Sequence, residues 1–358
     1  MKTWVKVIII GSIVGLFGYW FVSGMMNQLR DMPQVVNKKW CKKRSSNPVE
    51  VRYIKGTEEV VTFFARESAS SDRLIARRAL LIRRPNAQAM VFVFHGFMCN
   101  KYDVRFLANA LFGKTINGKP FNVMIIDFRA HGDAVENQCC SMGYNEMYDV
   151  IGAVDYIRAD SMLKSLPRIA YGFSMGAVSS ILAQSHDPTL FDLAIWDCPF
   201  ESTERLLGRM LDRLKVSAFG YEFPLPGRSL LQKYAYSNSV QSMLKFALKT
   251  VAHMDACQVE TCIRPVNTVE AMSKIKIPVL MIGCRKDEKA PLSAVKEVYN
   301  AACGFKRLWV TNGRNHFDSY FFNPEKYIYK VRSFVYKIMN NKYKSRPQAF
   351  IVEDGPED

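Results

Sequence analysis

The sequence predicts an α/β fold, a mostly parallel β-sheet with helices on both faces. Short continuous apolar runs such as Met90 to Phe94 have the character of strands buried on both sides. They alternate with stretches of helical spacing, as a series of strand–helix–strand units requires. With 49% of its 358 residues hydrophobic and 23% charged, the chain can bury a sizeable core, which excludes a disordered polymer.

From Val7 to Met26 the chain carries no charge, after Lys2 and Lys6. About twenty apolar residues suffice to cross a bilayer as one helix. The run exceeds a typical signal core and no A-x-A site follows it, so residues 1–30 are expected to be an uncleaved anchor rather than a cleaved signal. A basic connector, 31–58, holds Lys38, Lys39, Lys42, Lys43 and Arg44. This cluster opposes the N-terminal lysines under the positive-inside rule, which leaves the side of the membrane open.

Strands are expected at Val60 to Ala65, Ala79 to Arg84, Met90 to Phe94, Val123 to Phe128, Arg168 to Tyr171, Leu193 to Trp196, Ile277 to Ile282 and Arg307 to Val310. The helical stretches are Asp103 to Leu111, Asn145 to Arg158, Gly176 to Gln184, Ala290 to Ala302 and Pro324 to Met339. The main domain is therefore expected over 59–340, with a polar tail at 341–358. One interval, 201–273, is far longer than an ordinary crossover of ~10–15 residues. Ser202 to Val216 and Ser229 to Thr250 have helical character, with Phe223-Pro224-Leu225-Pro226-Gly227 between them. A mainly helical cap insertion is expected there, its apolar stripe formed by Leu206, Leu207, Met210, Leu211 and Leu214.

Gly172-Phe173-Ser174-Met175-Gly176 follows one expected strand and opens a helix. A serine on such a tight turn presents its hydroxyl above the sheet, and the small flanking residues avoid clashes. A hydroxyl nucleophile needs a base, and the chain has five histidines. His95 and His131 precede the serine. His186 ends the helix leaving it, His253 falls in the insertion, and His316 follows the last expected strand, so His316 is the expected base. The orienting acid should sit after a strand between the two: Asp287 is expected, with Asp197 as the competing position. An oxyanion needs backbone donors, expected from Met175 and from Phe97 in the loop His95-Gly96-Phe97, where His95 shapes the loop.

Taken in order, His95-Gly96-Phe97, Asp127-Phe128-Arg129-Ala130-His131-Gly132, Gly172 to Gly176, Pro278 to Asp287 and Asn315-His316 resemble the α/β-hydrolase superfamily. Within it they look most like N-terminally membrane-anchored bacterial hydrolases of the esterase or serine aminopeptidase-like type. The resemblance runs from about Val60 to Met339. It implies the α/β-hydrolase fold, a triad of Ser174, Asp287 and His316, and no metal or organic cofactor. Ala130 departs from the D-x-R-G-H-G pattern, and Arg314 in the histidine loop adds a charge at the rim.

The expected activity is cleavage of a carboxylic ester or thioester through an acyl-enzyme. An aminopeptidase, amidase or acyltransferase could use the same triad, and a silent binding protein could use the same scaffold. No acidic cluster in the insertion suits an N-terminal amine, which favours the ester. The expected partners are a small-molecule ester or acyl substrate and the membrane. Forty-nine Lys and Arg against 33 acidic residues, a formal charge of +16, would help the surface meet anionic lipid. No nucleic-acid motif accompanies that charge. The nine cysteines match no zinc pattern and are read as free thiols, with Cys257–Cys262 as the pair that could close a small loop.

Overall fold

In the computed structural model, the chain is described over residues 56–113, 118–133, 138–212, 215–218, 221–224, 233–234, 236–237, 259–342 and 348–355. The run from Val7 to Met26 lies outside them. No helix among the described residues is long and apolar enough to cross a membrane.

The main unit is an α/β-hydrolase fold. Its strands are β1 (Thr57–Ser68), β2 (Ser71–Arg83), β3 (Met90–Phe94), β4 (Asn122–Ile126), β5 (Arg168–Phe173), β6 (Leu193–Asp197), β9 (Val279–Cys284), β10 (Lys306–Thr311) and β11 (Ala349–Glu353). They form one sheet in the order β1-β2-β4-β3-β5-β6-β9-β10-β11. β2 pairs antiparallel with β1 and with β4, and every other neighbour is parallel. Sequence character and position agree: β3 is apolar throughout, β4 and β6 are apolar but for the terminal Asn122 and Asp197, and all three are buried at every residue, whereas β1 alternates, as an edge strand with one wet face must.

Alternate residues of each central strand feed two cores. Phe92 and Phe94 pack with Phe63, Ile181 and Trp196 on one face. Val91 and Val93 pack with Leu107, Ile195, Val331 and Val335 on the other. The covering helices are α1 (Arg105–Phe112), α2 (Glu146–Ala159), α3 (Met175–His186), α5 (Thr268–Met272), α6 (Leu292–Ala301), α7 (Ser319–Phe322) and α8 (Pro324–Met339). α8 starts where expected because Asn323 accepts the Lys326 N–H and Pro324 follows as the first helical residue. A fully buried side chain of the size of Phe92 contributes about 2–3 kcal/mol through area removed from water.

Three expectations change. The stretch beyond residue 340 is no mere tail, since Ala349–Glu353 adds a parallel strand to β10; its Ala-Phe-Ile-Val content carries the β-propensity that the acidic end after it masks. The helix expected to Val216 is α4 (Thr203–Asp212), which stops short of a hairpin of β7 (Lys215–Ala218) and β8 (Tyr221–Pro224). Ala218 pairs with Tyr221 at the end of this hairpin's register. Residues 207–258 belong to a second compact unit. The second expected helix, Ser229 to Thr250, falls almost entirely outside the described residues, as do His253 and the side chains of Met210, Leu211 and Leu214.

The third change concerns cysteine. Cys139 and Cys262 form a disulfide, in place of the free thiols expected. The backbone brings them together: Cys140 N donates to Glu260 O at 2.6 Å, and Cys262 N donates to Cys140 O at 2.8 Å. Successive side chains of an extended segment point to opposite sides, so Cys139 meets Cys262 while Cys140 turns inward. Cys257, its expected partner, lies outside the described residues.

Candidate active site

The strand order reverses between β3 and β5: the chain leaves β3 for β4 on one side, and after β5 it proceeds to β6 on the other. At such a switch point the loops at the carboxyl ends diverge and leave a crevice. His95-Gly96-Phe97 follows β3 at this position, and Ser174 follows β5.

Ser174 has φ +51° and ψ −122°, a conformation a serine adopts only when its surroundings enforce it. The enforcement is visible. Ser174 N donates to Asp197 O at 2.9 Å, which ties the turn to β6, and Val178 N takes the Ser174 carbonyl to start α3. A Cβ on Gly176 would lie 2.2 Å from Phe94 O, and one on Gly172 would lie 2.8 Å from Gly176 O, so both positions need glycine for close approach.

The three side chains expected to act together are brought together. His316 Nε2 lies 2.7 Å from Ser174 Oγ, and His316 Nδ1 lies 2.8 Å from Asp287 Oδ2. Asp287 is held by its other oxygen, which accepts the Lys289 and Ala290 amides at 2.8 and 3.0 Å. With Nδ1–H donating to the carboxylate, Nε2 carries the lone pair that accepts the serine hydroxyl. The Asp287 side chain is fully buried and that of His316 is 19% exposed, so the row runs from the interior to the crevice. The next residue, Phe317, stacks on Phe173 at 3.9 Å between ring centroids and so anchors the histidine loop to the strand that carries Ser174.

Asp197, the competing acid, does not meet His316. It is fully buried, its Oδ2 accepts the Tyr327 hydroxyl at 2.7 Å, and Tyr327 in turn pairs with Tyr171 at 2.8 Å. Burial pushes its carboxyl up to about 7; the Tyr327 hydroxyl and Cys198 thiol oppose that rise, and the charge of Asp287 adds to it. The adjoining Cys198 is also buried, and its thiol is raised by burial and then by Asp197 and Asp287. Cys198 Sγ, a carboxylate oxygen of Asp287 and a ring nitrogen of His316 lie within 4.8 Å of one another. Those atoms are of metal-donor type, but the imidazole and carboxylate are already engaged in the hydrogen-bonded row. His186 ends α3 and lies against Tyr148.

Met175, as the first residue of α3, has an N–H with no carbonyl one turn behind it. Phe97 lies in the loop after β3, whose shape is set by two histidines. His95 Nε2 accepts the Phe128 N–H at 3.1 Å, and its Nδ1 donates to Gly96 O at 2.8 Å. His131 repeats the pattern: Nε2 accepts the Met98 N–H at 3.1 Å, and Nδ1 donates to Arg129 O at 2.8 Å. Both rings are therefore neutral; burial pushes His95 down to about 3 and lowers His131 as well. Lys101 closes the loop from below, its Nζ donating to Asp127 at 2.6 Å and to Asp133 at 2.5 Å. The sequence identified His95 as a loop-shaping residue; the matching roles of His131 and Lys101 were missed because their partners lie some thirty positions away along the chain. Cys140 also went unmarked, and it packs its thiol on the Met175 sulfur at 3.4 Å.

Residues 85–316 match the family model described as serine aminopeptidase, S33. Among curated proteins, the chain is 29% identical over 208 residues to the uncharacterized protein YqkD of Bacillus subtilis (strain 168), a match that spans 58% of this chain and 59% of the relative. Among solved structures, it is similar to the esterase Pf2001 of Pyrococcus furiosus, with a TM-score of 0.55 and 19% identity over 85% of this chain and 97% of the other. The peroxisomal α/β-hydrolase Lpx1 of Saccharomyces cerevisiae gives a TM-score of 0.54 and 15% identity over 82% and 93% of the two chains. At these identities the solved structures speak for the fold.

Proposed function

This chain belongs to the serine aminopeptidase (S33) family of α/β-hydrolases, and we propose that it is a serine hydrolase that cleaves carboxylic esters or thioesters. The observation that carries the reading is the unbroken row Ser174 Oγ, His316 Nε2, His316 Nδ1, Asp287 Oδ2, with contacts of 2.7 and 2.8 Å. Ser174 attacks the acyl carbonyl while its proton passes to His316 Nε2. Asp287 holds the tautomer and stabilises the imidazolium. The amides of Phe97 and Met175 receive the oxyanion, the alcohol or thiol leaves with the proton from His316, and water, activated by the same imidazole, releases the acid.

Ester is preferred to peptide because the sequence between Glu201 and Ser273 has no acidic cluster to receive a substrate's N-terminal amine. Two measurements test the reading. A fluorophosphonate probe should label Ser174, and a screen of esters, thioesters and aminoacyl amides should give turnover on esters. A protein that resists the probe is a binder on this scaffold, and turnover confined to aminoacyl amides makes it a peptidase.

The apolar run from Val7 to Met26 is read as a membrane anchor, with the net basic surface adding attraction to anionic lipid. The Cys139–Cys262 bond supports a catalytic domain on the oxidising side of that membrane, since disulfides persist there. Full-length protein recovered intact in the soluble fraction after carbonate extraction would remove the anchor from this reading.

A further inference from the structure

The loop 138–145 touches both the elbow helix α3 and the segment that leads out of the insertion, and the mechanism above makes no use of it. On its inner side Cys140 is fully buried, and its thiol donates to Met175 Sδ at 3.4 Å. Gly143 packs on α3, where a Cβ would come within 2.9 Å of Val178 Cγ1. Buried Glu146, at the start of α2, gathers the rest of the loop: it accepts the Ser141 and Gly143 amides at 2.8 and 2.7 Å and the Ser141 hydroxyl at 2.7 Å. On the outer side Cys139 is bonded to Cys262, and Cys140 bridges Thr261 beside that bond, its N–H donating to Glu260 O and its carbonyl accepting the Cys262 N–H. The partner segment is itself made fast. Thr203 Oγ1 donates to Arg264 O and accepts the Val266 N–H, both at 2.9 Å, and Thr268 N donates to Glu201 O at 2.9 Å. All of these residues belong to the main unit.

The adjacent cysteines have different roles. Cys139 and Cys262 are half-buried, so a small dithiol can reach their bond. Cys140 is sealed in, and burial, with the charge of Glu146 behind it, holds its thiol protonated and out of exchange with that bond. Without the covalent link, the bridge at Cys140 rests on backbone hydrogen bonds beside the exposed Glu260. Such bonds are worth little net of the water that competes for them, so a short bridge opens far more readily than the sheet does. Each opening takes the Cys140 sulfur off Met175. The Met175 side chain is fully buried and seats the first turn of α3, the turn that carries the oxyanion amide. An oxyanion donor acts through position: it stabilises the tetrahedral intermediate only where its N–H already points at the developing charge.

We propose that the Cys139–Cys262 bond is a redox-sensitive clamp on the nucleophile elbow, with Cys140 as the positioning residue it holds against Met175, so that a dithiol that opens the bond slows acyl transfer. The proposal rests on the acyl-hydrolase reading, since it acts through the oxyanion donor of that reaction. In the exchange a thiolate of the dithiol attacks one cysteine sulfur, the S–S bond breaks and a mixed disulfide forms. The second sulfur of the dithiol then displaces the cysteine and closes its own ring. The dithiol loses two electrons, and its two protons end on Cys139 and Cys262. Exchange with an oxidised disulfide reagent runs the same steps in reverse and restores the clamp. The enzyme is therefore most active where the bond persists, in an oxidising compartment.

The test is steady-state turnover of an ester by the intact protein before dithiothreitol, after it and after reoxidation, with circular dichroism on the same samples to follow the fold. Reduction should lower kcat about tenfold with KM within about twofold, because the weakened interaction is one made in the transition state, and reoxidation should restore it. C139S/C262S should show the low kcat from the start and no response to the dithiol. C140A keeps the bond but removes the sulfur contact; it should lose several-fold in kcat, and reduction should add little to that loss. A folded, reduced wild type of unchanged kcat overturns the proposal and leaves the bond a stabilising crosslink. Reduction that raises KM at constant kcat also overturns it, since the bond then acts on substrate binding, and an equal drop in C139S/C262S overturns it by assigning the effect to other thiols. If the reduced protein loses its fold, C140A alone decides, and a wild-type kcat there overturns the proposal. An oxidised wild type that neither turns over esters nor takes a fluorophosphonate label is a distinct result, since it overturns the hydrolase reading itself.

Discussion

Two buried carboxyl groups in this molecule have opposite surroundings. Asp149 on α2 is fully buried and meets cations: Arg129 donates Nη2 to Oδ1 at 2.8 Å and both Nε and its backbone amide to Oδ2 at 3.1 and 2.9 Å, while Arg77 Nε approaches Oδ1 at 3.4 Å. Arg129 also donates to the carbonyls of Arg66 and Glu67, so the cluster fastens the end of β1 to the loop after β4. Asp197 is equally buried but meets a tyrosine, a thiol and another carboxyl. Burial alone therefore does not set a carboxyl's role. Where guanidinium groups match the charge, the group is a fastener held as an ion pair; where a tyrosine, a thiol and a second carboxyl are the neighbours, burial pushes the carboxyl toward its neutral form.

This contrast can be broken at several points. The largest effect is expected at the nucleophile and base: S174A or H316A should reduce kcat on an ester on the order of 10⁶-fold, because the triad acts as a unit. D287N should cost about 10⁴-fold by favouring the wrong tautomer. The same measurement on D197N should stay within about tenfold of wild type, and a reversal of the two would exchange the roles of the two aspartates.

At the other carboxyl the expected loss is in stability. D149A leaves Arg77 and Arg129 buried without their counter-charge, which should lower unfolding free energy by about 3–5 kcal/mol in urea titration. The kcat of the protein that remains folded should stay within several-fold of wild type. A variant of normal stability with little activity would show that Asp149 belongs to the chemistry after all.

A smaller effect concerns His95. Its folded-state value near 3 lies below the ordinary 6.5, so between those limits the unfolded chain binds a proton that the folded protein does not. Stability from this group is full above 6.5 and falls as pH drops toward 3, by about 1.4 kcal/mol per pH unit. Thermal melts from pH 7 to pH 4 should show a shallower decline in H95N than in wild type, after allowance for its lower starting stability; parallel declines would mean that the ring already carries its proton. The smallest effect is in substrate length: each methylene of an acyl chain bound against apolar walls contributes roughly 0.8 kcal/mol, so kcat/KM should rise a few-fold per carbon over a series of short acyl esters. A flat series would mean that the acyl chain is not held against apolar surface.

The parts of this architecture legible in the sequence were those whose physics is local. Strand runs such as Met90–Phe94 are apolar at every position because both faces are covered, and the elbow at Ser174 needs glycines two residues either side. Chain order alone picked out His316 and Asp287, the pair that meets in space. What stayed hidden depends on distant pairing. Cys139 and Cys262 are 123 residues apart, and nothing near either cysteine names its partner. The link of Tyr327 to Asp197 spans 130 positions, so Asp197 could be seen in the sequence only as a possible rival to Asp287. The start of β7 was taken for helix because Lys215 and Val216 continue the helical spacing of α4, and only the pairing of Ala218 with Tyr221 reveals the reversal.

The bond between Cys139 and Cys262 has a consequence for the covalent structure of the molecule. It closes a ring around the whole length from α2 through the second compact unit, residues 207–258. A protease that cuts any peptide bond in that unit produces two fragments, one ending with the sheet up to β6 and the other beginning before β9. Each fragment carries one of the two cysteines, so the nicked protein should migrate as a single species on a denaturing gel until a thiol reductant is added, and then separate into two bands.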